Sequence, residues 1–252
     1  MVIQANTADP YLDLFENFPN ILVFGAGGYG HIPIPLIQGE IHRNLSMTAE
    51  FEVDVGFYGD PTHLYRPEIF GELARHTSGL ITMIGLFPEW QDWISRTRFN
   101  LAPRGFGPTS FRIAEIVQLE RIPVYIHSKG ERWSAYDHSN ISIDSIGFSE
   151  EIGSLDRLVE QLKHVTAEEL AMKLERVKQA RHFYTYEGVM DQLELFFKEP
   201  LVQSALSCQR VSRIYTLGFW WESFKFRLHC YWNPDYHRYC PQQLAILYAR
   251  IP

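Results

Sequence analysis

Residues 99–128, FNLAPRGFGPTSFRIAEIVQLERIPVYIHS, carry the side chains of this 252-residue chain best suited to holding a phosphorylated diol. Pro103-Arg104-Gly105 follows an apolar run, a Gly/Pro-rich loop comes next, and a helical pattern opens near Ser110 with Arg112 in its first turn and Glu115 three residues on. Gly105 and Gly107 let backbone approach a ligand closely. The helix start offers N–H groups without intrahelical partners, and Arg104 supplies a cationic fork matched to phosphate. Arg112 and Glu115 share one helix face, so the carboxylate can accept two hydroxyl hydrogen bonds while the guanidinium reaches phosphate or steadies it. Such bonds contribute roughly 1.5–3 kcal/mol each, and a few of them would hold a nucleotide diphosphate, ribose being the natural diol. The same spacing also fits an ordinary helix ion pair worth about 0.2–0.5 kcal/mol. Placement just after a strand favours the ligand reading.

Two other groupings point elsewhere. Gly25-Ala-Gly27-Gly-Tyr-Gly30 follows an apolar run and matches the dinucleotide-binding pattern G-x-G-x-x-G. That pattern needs a helix at the loop, and the continuation His31-Ile-Pro33-Ile-Pro35 imposes extended backbone instead. The segment therefore reads as a glycine-rich connection. His229-Cys230 and His237-x-x-Cys240 place four soft ligands within twelve residues, but at no common zinc spacing, and His63, His76, His127 and His164 show no ligand pattern. No metal is expected.

The elements that must position the first grouping follow from periodicity. Apolar or alternating runs at 21–26, 51–59, 78–85, 99–103 and 122–128 read as strands, with a further short strand at 141–149. Helical patterns occupy 66–76, 88–97, 110–120, 154–165 and 166–185, the last opened by the capping box Thr166-x-x-Glu169, and continue over 186–198. Strands alternating with helices predict an α/β domain, a Rossmann-like parallel sheet flanked by helices, over about 51–200. Ligands of such sheets sit at the carboxyl ends of the strands.

Composition bounds the partners. With 23 Lys+Arg against 30 Asp+Glu, the net charge of −7 argues against nucleic-acid binding, so any bound anion must be held locally. The charge is uneven. Residues 1–200 carry a net −11, while 201–252 carry +4, eleven aromatics and all three cysteines. That last stretch reads as an atypical tail, disordered or not native to the domain. The N-terminus has neither the basic region nor the apolar run of a signal peptide, and no stretch approaches the length of a transmembrane span.

At Pro103-Arg104-Gly105, Ser110-Phe111-Arg112, Glu115 and Pro123-Val124 the sequence resembles the exostosin-like glycosyltransferase family. The similarity extends more loosely from about Ile21 to Phe197, through VDVGFYGDPTHLYR (53–66) and ARHFYTYEGVMDQLELF (180–196). The resemblance implies the C-terminal, nucleotide-sugar half of a GT-B enzyme, two Rossmann-like domains with the active site between them. It implies inverting, metal-independent transfer from a nucleotide sugar, usually a uridine diphosphate sugar, to a glycan or glycoprotein acceptor. Arg104 and Arg112 would neutralise the diphosphate, Ser110 and the helix end would add hydrogen bonds, Glu115 would grip the ribose, and Arg66 would be a further phosphate contact. Trp133, Tyr136 and Asp137 would border the sugar, or else form a packed aromatic loop. The donor is a substrate, and no cofactor is expected.

The family's acceptor domain has only about 50 residues of counterpart here, so residues 1–50 read as its remnant and the crossover. The general base would belong to that other half, and no residue is assigned to it. A Golgi membrane or lumenal location is implied by the family, although the usual N-terminal anchor is not seen in this sequence. The competing expectation is a non-catalytic pseudo-glycosyltransferase, a module paired with another glycosyltransferase.

Overall fold

The computed structural model describes residues 2–4, 23–27, 32–41 and 51–198, except 64, 106 and 138. The tail's histidines and cysteines lie outside the described residues. Met1–Arg210 forms one compact unit.

Five parallel strands make the main sheet: β4 (Val53–Tyr58), β5 (Thr82–Gly85), β6 (Thr97–Pro103), β7 (Pro123–His127) and β8 (Phe148–Glu151), in the order β5-β4-β6-β7-β8. Alternation along the strands assigns the two faces. Val55, Phe57, Phe99, Leu101, Val124 and Ile126 pack on helices α1 (Arg66–His76) and α5 (Leu155–Lys163). Tyr58, Ala102 and Tyr125 point the other way, onto α3 (Phe111–Gln118), the short α4 (Ile143–Ile146) and α6 (Ala167–Ala180). Helix α2 (Trp90–Ser95) joins β5 to β6. Both faces are thus covered, as an all-parallel sheet requires, and the fold is the expected α/β layering.

A second sheet of three parallel strands, β1 (Val2–Gln4), β2 (Val23–Gly25) and β3 (Ile32–Pro33), carries the glycine-rich segment. The next described residues after Gly27 are β3 and then irregular chain to Ile41, with no helix. Helix α7 (Tyr186–Lys198) closes on this sheet, Phe196 meeting Phe24 edge-on at 5.4 Å between ring centres.

Two local expectations are corrected. The stretch 141–149 is not one strand. Ser142 caps a helical turn, its Oγ accepting from Ser145 N at 3.3 Å, and β8 starts only at Phe148. Ile143 and Ile146 form a helical pair that alternation misreads, both fully buried. The helix expected over 166–185 stops at Ala180 and continues as a 3₁₀ turn, Arg181–Tyr184. Thr185 is extended and its Oγ1 accepts from Gly188 N at 3.1 Å, so it caps α7 and divides the two helices.

Candidate functional site

Strands β4 and β6 end side by side, and the chain after each forms one wall of a cleft of about 230 Å³. Gly59, Asp60 and Arg66 come from the β4 side, with Phe57 from the strand itself. Gly105, Gly107, Thr109, Ser110, Arg112 and Glu115 come from the β6 side, and Gly27, Leu36 and Gln38 border it from the crossover.

The β6 wall is built by helix α3. Ser110 is extended (φ −145°, ψ 138°) and its Oγ accepts from Arg112 N at 3.3 Å, so this hydroxyl serves as the N-cap. Arg112 Nη1 lies 2.9 Å from Glu115 Oε2, with the two side chains only 16% and 14% exposed. The Arg112 guanidinium also lies over the Trp90 ring, 4.5 Å from its centre. Burial pushes the Glu115 carboxyl above its ordinary range, and the Arg112 charge only partly offsets this. Burial likewise lowers the Arg112 guanidinium. The pair is a desolvated one, set on the cleft wall.

On the β4 wall, Arg66 opens helix α1, donates from Nη1 to the Asp60 carbonyl at 2.9 Å and stacks on Phe57 at 4.9 Å. Asp60 accepts from Thr62 N at 2.8 Å and from Thr62 Oγ1 at 2.6 Å. Burial works against the Asp60 charge. The Thr62 hydrogen bonds and the His63 and Arg66 charges outweigh it and hold the carboxyl below its usual range. Gly59 faces across: a Cβ there would lie 2.9 Å from Phe57 Cζ and 3.4 Å from Arg112 Nη2.

Arg66, Ser110, Arg112 and Glu115 are therefore brought to one cleft. Arg104 is not among its lining residues. It is 7% exposed, pairs through Nη1 with Glu131 and Ser128, and stacks on Tyr65 at 4.7 Å. Trp133, Tyr136 and Asp137, in the loop after β7, are not among the lining residues either. Trp133 Nε1 donates to the Gly25 carbonyl at 3.1 Å, Tyr136 Oη donates to the Phe183 carbonyl at 2.9 Å, and Asp137 pairs with Arg132 at 3.0 Å. Asp60, Thr109 and Gln38 were missed by sequence reasoning. Asp60 directly follows a strand, so the strand-end rule alone would have found it.

With a guanidinium on each wall, a helix N-terminus and a carboxylate beside it, the cleft can neutralise a diphosphate and accept hydroxyl hydrogen bonds. Among the described residues no group of histidine, cysteine or acidic side chains could hold a metal ion, and no helix is long and apolar enough to cross a membrane.

No protein-family model matches the sequence, and no curated protein matches it. Among solved structures, the crystal structure of TarM, a glycosyltransferase of GT-B type, matches with a TM-score of 0.50 and 12% sequence identity. The shared fold is the parallel α/β sheet flanked by helices. The match covers 79% of this chain and 43% of TarM, so the chain spans less than half the length of that neighbour. At 12% identity the likeness is one of fold.

Proposed function

We propose that this chain is the donor-binding part of a glycosyltransferase of the exostosin-like family, taking a uridine diphosphate sugar and transferring the sugar to a glycan or glycoprotein acceptor. The observation that carries this reading is the convergence of Arg66, Arg112 and Glu115 with the N-terminus of α3 in one strand-end cleft. The GT-B-like fold supports it.

In this reading Arg66 and Arg112 stabilise the diphosphate as it departs, from opposite walls and in a partly desolvated site where each charge acts strongly. Glu115 accepts the ribose hydroxyls. Transfer is inverting and needs no metal, and the base that deprotonates the acceptor comes from the facing half of the cleft. Placement in the Golgi and pairing with a second glycosyltransferase belong to the same family reading.

Calorimetric titration with uridine diphosphate tests the proposal. Wild type should bind and Glu115→Ala should lose at least tenfold, the cost of about one charge-assisted hydrogen bond. No binding by either protein would remove the proposal. Released uridine diphosphate in the presence of a sugar donor would separate an active transferase from a binding module.

A further inference from the structure

Arg104 stands at a strand end and is conspicuous in sequence, yet it is not among the residues that line the cleft. Its backbone N–H continues the β6–β7 ladder, donating to the Ile126 carbonyl at 2.8 Å, and its side chain is 8% exposed. The Glu131 carboxylate and the Ser128 hydroxyl both take Nη1. Glu131 is brought round to it by a turn in which Gly130 has φ +69° and Glu131 N donates to the Ser128 carbonyl at 3.1 Å. The other face of the guanidinium covers the Tyr65 ring. Tyr65 is the N-cap residue of α1, and the next residue is Arg66, which does line the cleft.

We infer that Arg104 is a positioning residue: clamped by Glu131, it fixes Tyr65 and so sets Arg66 against the ligand's diphosphate. The inference rests on the nucleotide-site reading above. Its geometry is a relay of two contacts across three segments, from the turn after β7 to the end of β6 to the start of α1. An arginine suits this place because one planar group can stack and hydrogen-bond at once, which a lysine ammonium cannot. Arg104 Nε is buried without a hydrogen-bond acceptor among the described residues. Direct contact of Arg104 with a phosphate is the competing role, and it makes the opposite prediction for Glu131.

The test is uridine diphosphate binding by the full chain carrying Glu131→Gln, a near-isosteric change at a residue whose side chain is 34% exposed. If Arg104 acts through its clamp, Glu131→Gln weakens binding about fivefold to tenfold, as Arg104→Ala does. In an Arg66→Ala background neither change should weaken binding further, because the relay ends there. A merely structural role would instead add to the Arg66 loss. Tighter binding by Glu131→Gln would show a phosphate ligand released from its counter-ion and would overturn the inference. Unchanged binding, or full additivity with Arg66→Ala, would overturn it as well. Failure of the wild-type protein to bind would remove the nucleotide reading itself, and this inference with it.

Discussion

Arg112 and Glu115 sit one turn apart on α3, their charged groups 2.9 Å apart and each largely shut off from water. Their proton affinities move in the directions set by burial, Glu115 up and Arg112 down, although each partner opposes the shift of the other. Burial therefore offsets much of the attraction, and an ion pair so placed is weak support for stability. Replacing both by apolar residues, Arg112→Met with Glu115→Leu, should raise stability by about 1–2 kcal/mol, or a few degrees in melting temperature. The same double variant should lose uridine diphosphate binding. Thermal melting beside calorimetry checks both halves, and a fall in melting temperature would contradict the first.

The Glu115 shift also sets a pH dependence. Its folded-state pKa lies above its unfolded value, so its contribution to stability is full below the unfolded pKa and is lost as pH rises through the folded one. Binding runs the other way, since the ionised carboxylate can accept hydrogen bonds from two hydroxyls at both oxygens, whereas protonation turns one oxygen into a donor. On acidification, nucleotide affinity should begin to fall at a pH above the ordinary glutamate range of about 4.3. The nucleotide's own phosphate also titrates, so the comparison is with Glu115→Gln. The part of the fall that Glu115→Gln lacks belongs to this carboxyl, and identical profiles would exclude it.

Gly59 tests the opposite wall. An added Cβ would press on the Phe57 ring at 2.9 Å and approach the Arg112 guanidinium at 3.4 Å. The Phe57 ring carries the stacked Arg66, so it cannot turn without moving that cation. Gly59→Ala should cost about 1–3 kcal/mol of folding stability by overpacking. It should also weaken uridine diphosphate binding by about an order of magnitude, roughly 1.4 kcal/mol, through displacement of the Arg66 and Arg112 guanidiniums. Denaturant melts and calorimetry read the two effects separately.

Much of this architecture was legible in the chain. Alternation in VDVGFY and the apolar run at 122–128 marked strands that the sheet pairs in parallel, and the capping positions Ser110 and Thr166 start helices as expected. Arg112 and Glu115 could be read as neighbours because helix geometry alone brings i and i+3 together. Arg104 could not be placed that way. Its partners Glu131 and Tyr65 are 27 and 39 residues distant, and only the sheet order brings them together. The turn at Ile143–Ile146 was illegible for a different reason. Four residues are too few for a period to declare itself, and the Ser142 cap and Gly147 decide the outcome.

Gly147 shows how firmly that corrected region is held. Space around it leaves no room for a side chain. A Cβ would fall 2.1 Å from the Pro123 carbonyl oxygen at the start of β7. Such an atom cannot be accommodated by rotating a side chain, because the obstacle is backbone in the adjoining strand. The Gly147 carbonyl also accepts from Lys173 Nζ at 2.7 Å, which ties α6 to the same point beside the Phe148 ring. Shifting Gly147 would therefore disturb β8 and the buried lysine together. Gly147→Ala should cost about 3 kcal/mol or more in urea unfolding, near the upper end of overpacking penalties. A loss below about 1 kcal/mol would mean that β8 does not lie this close to β7.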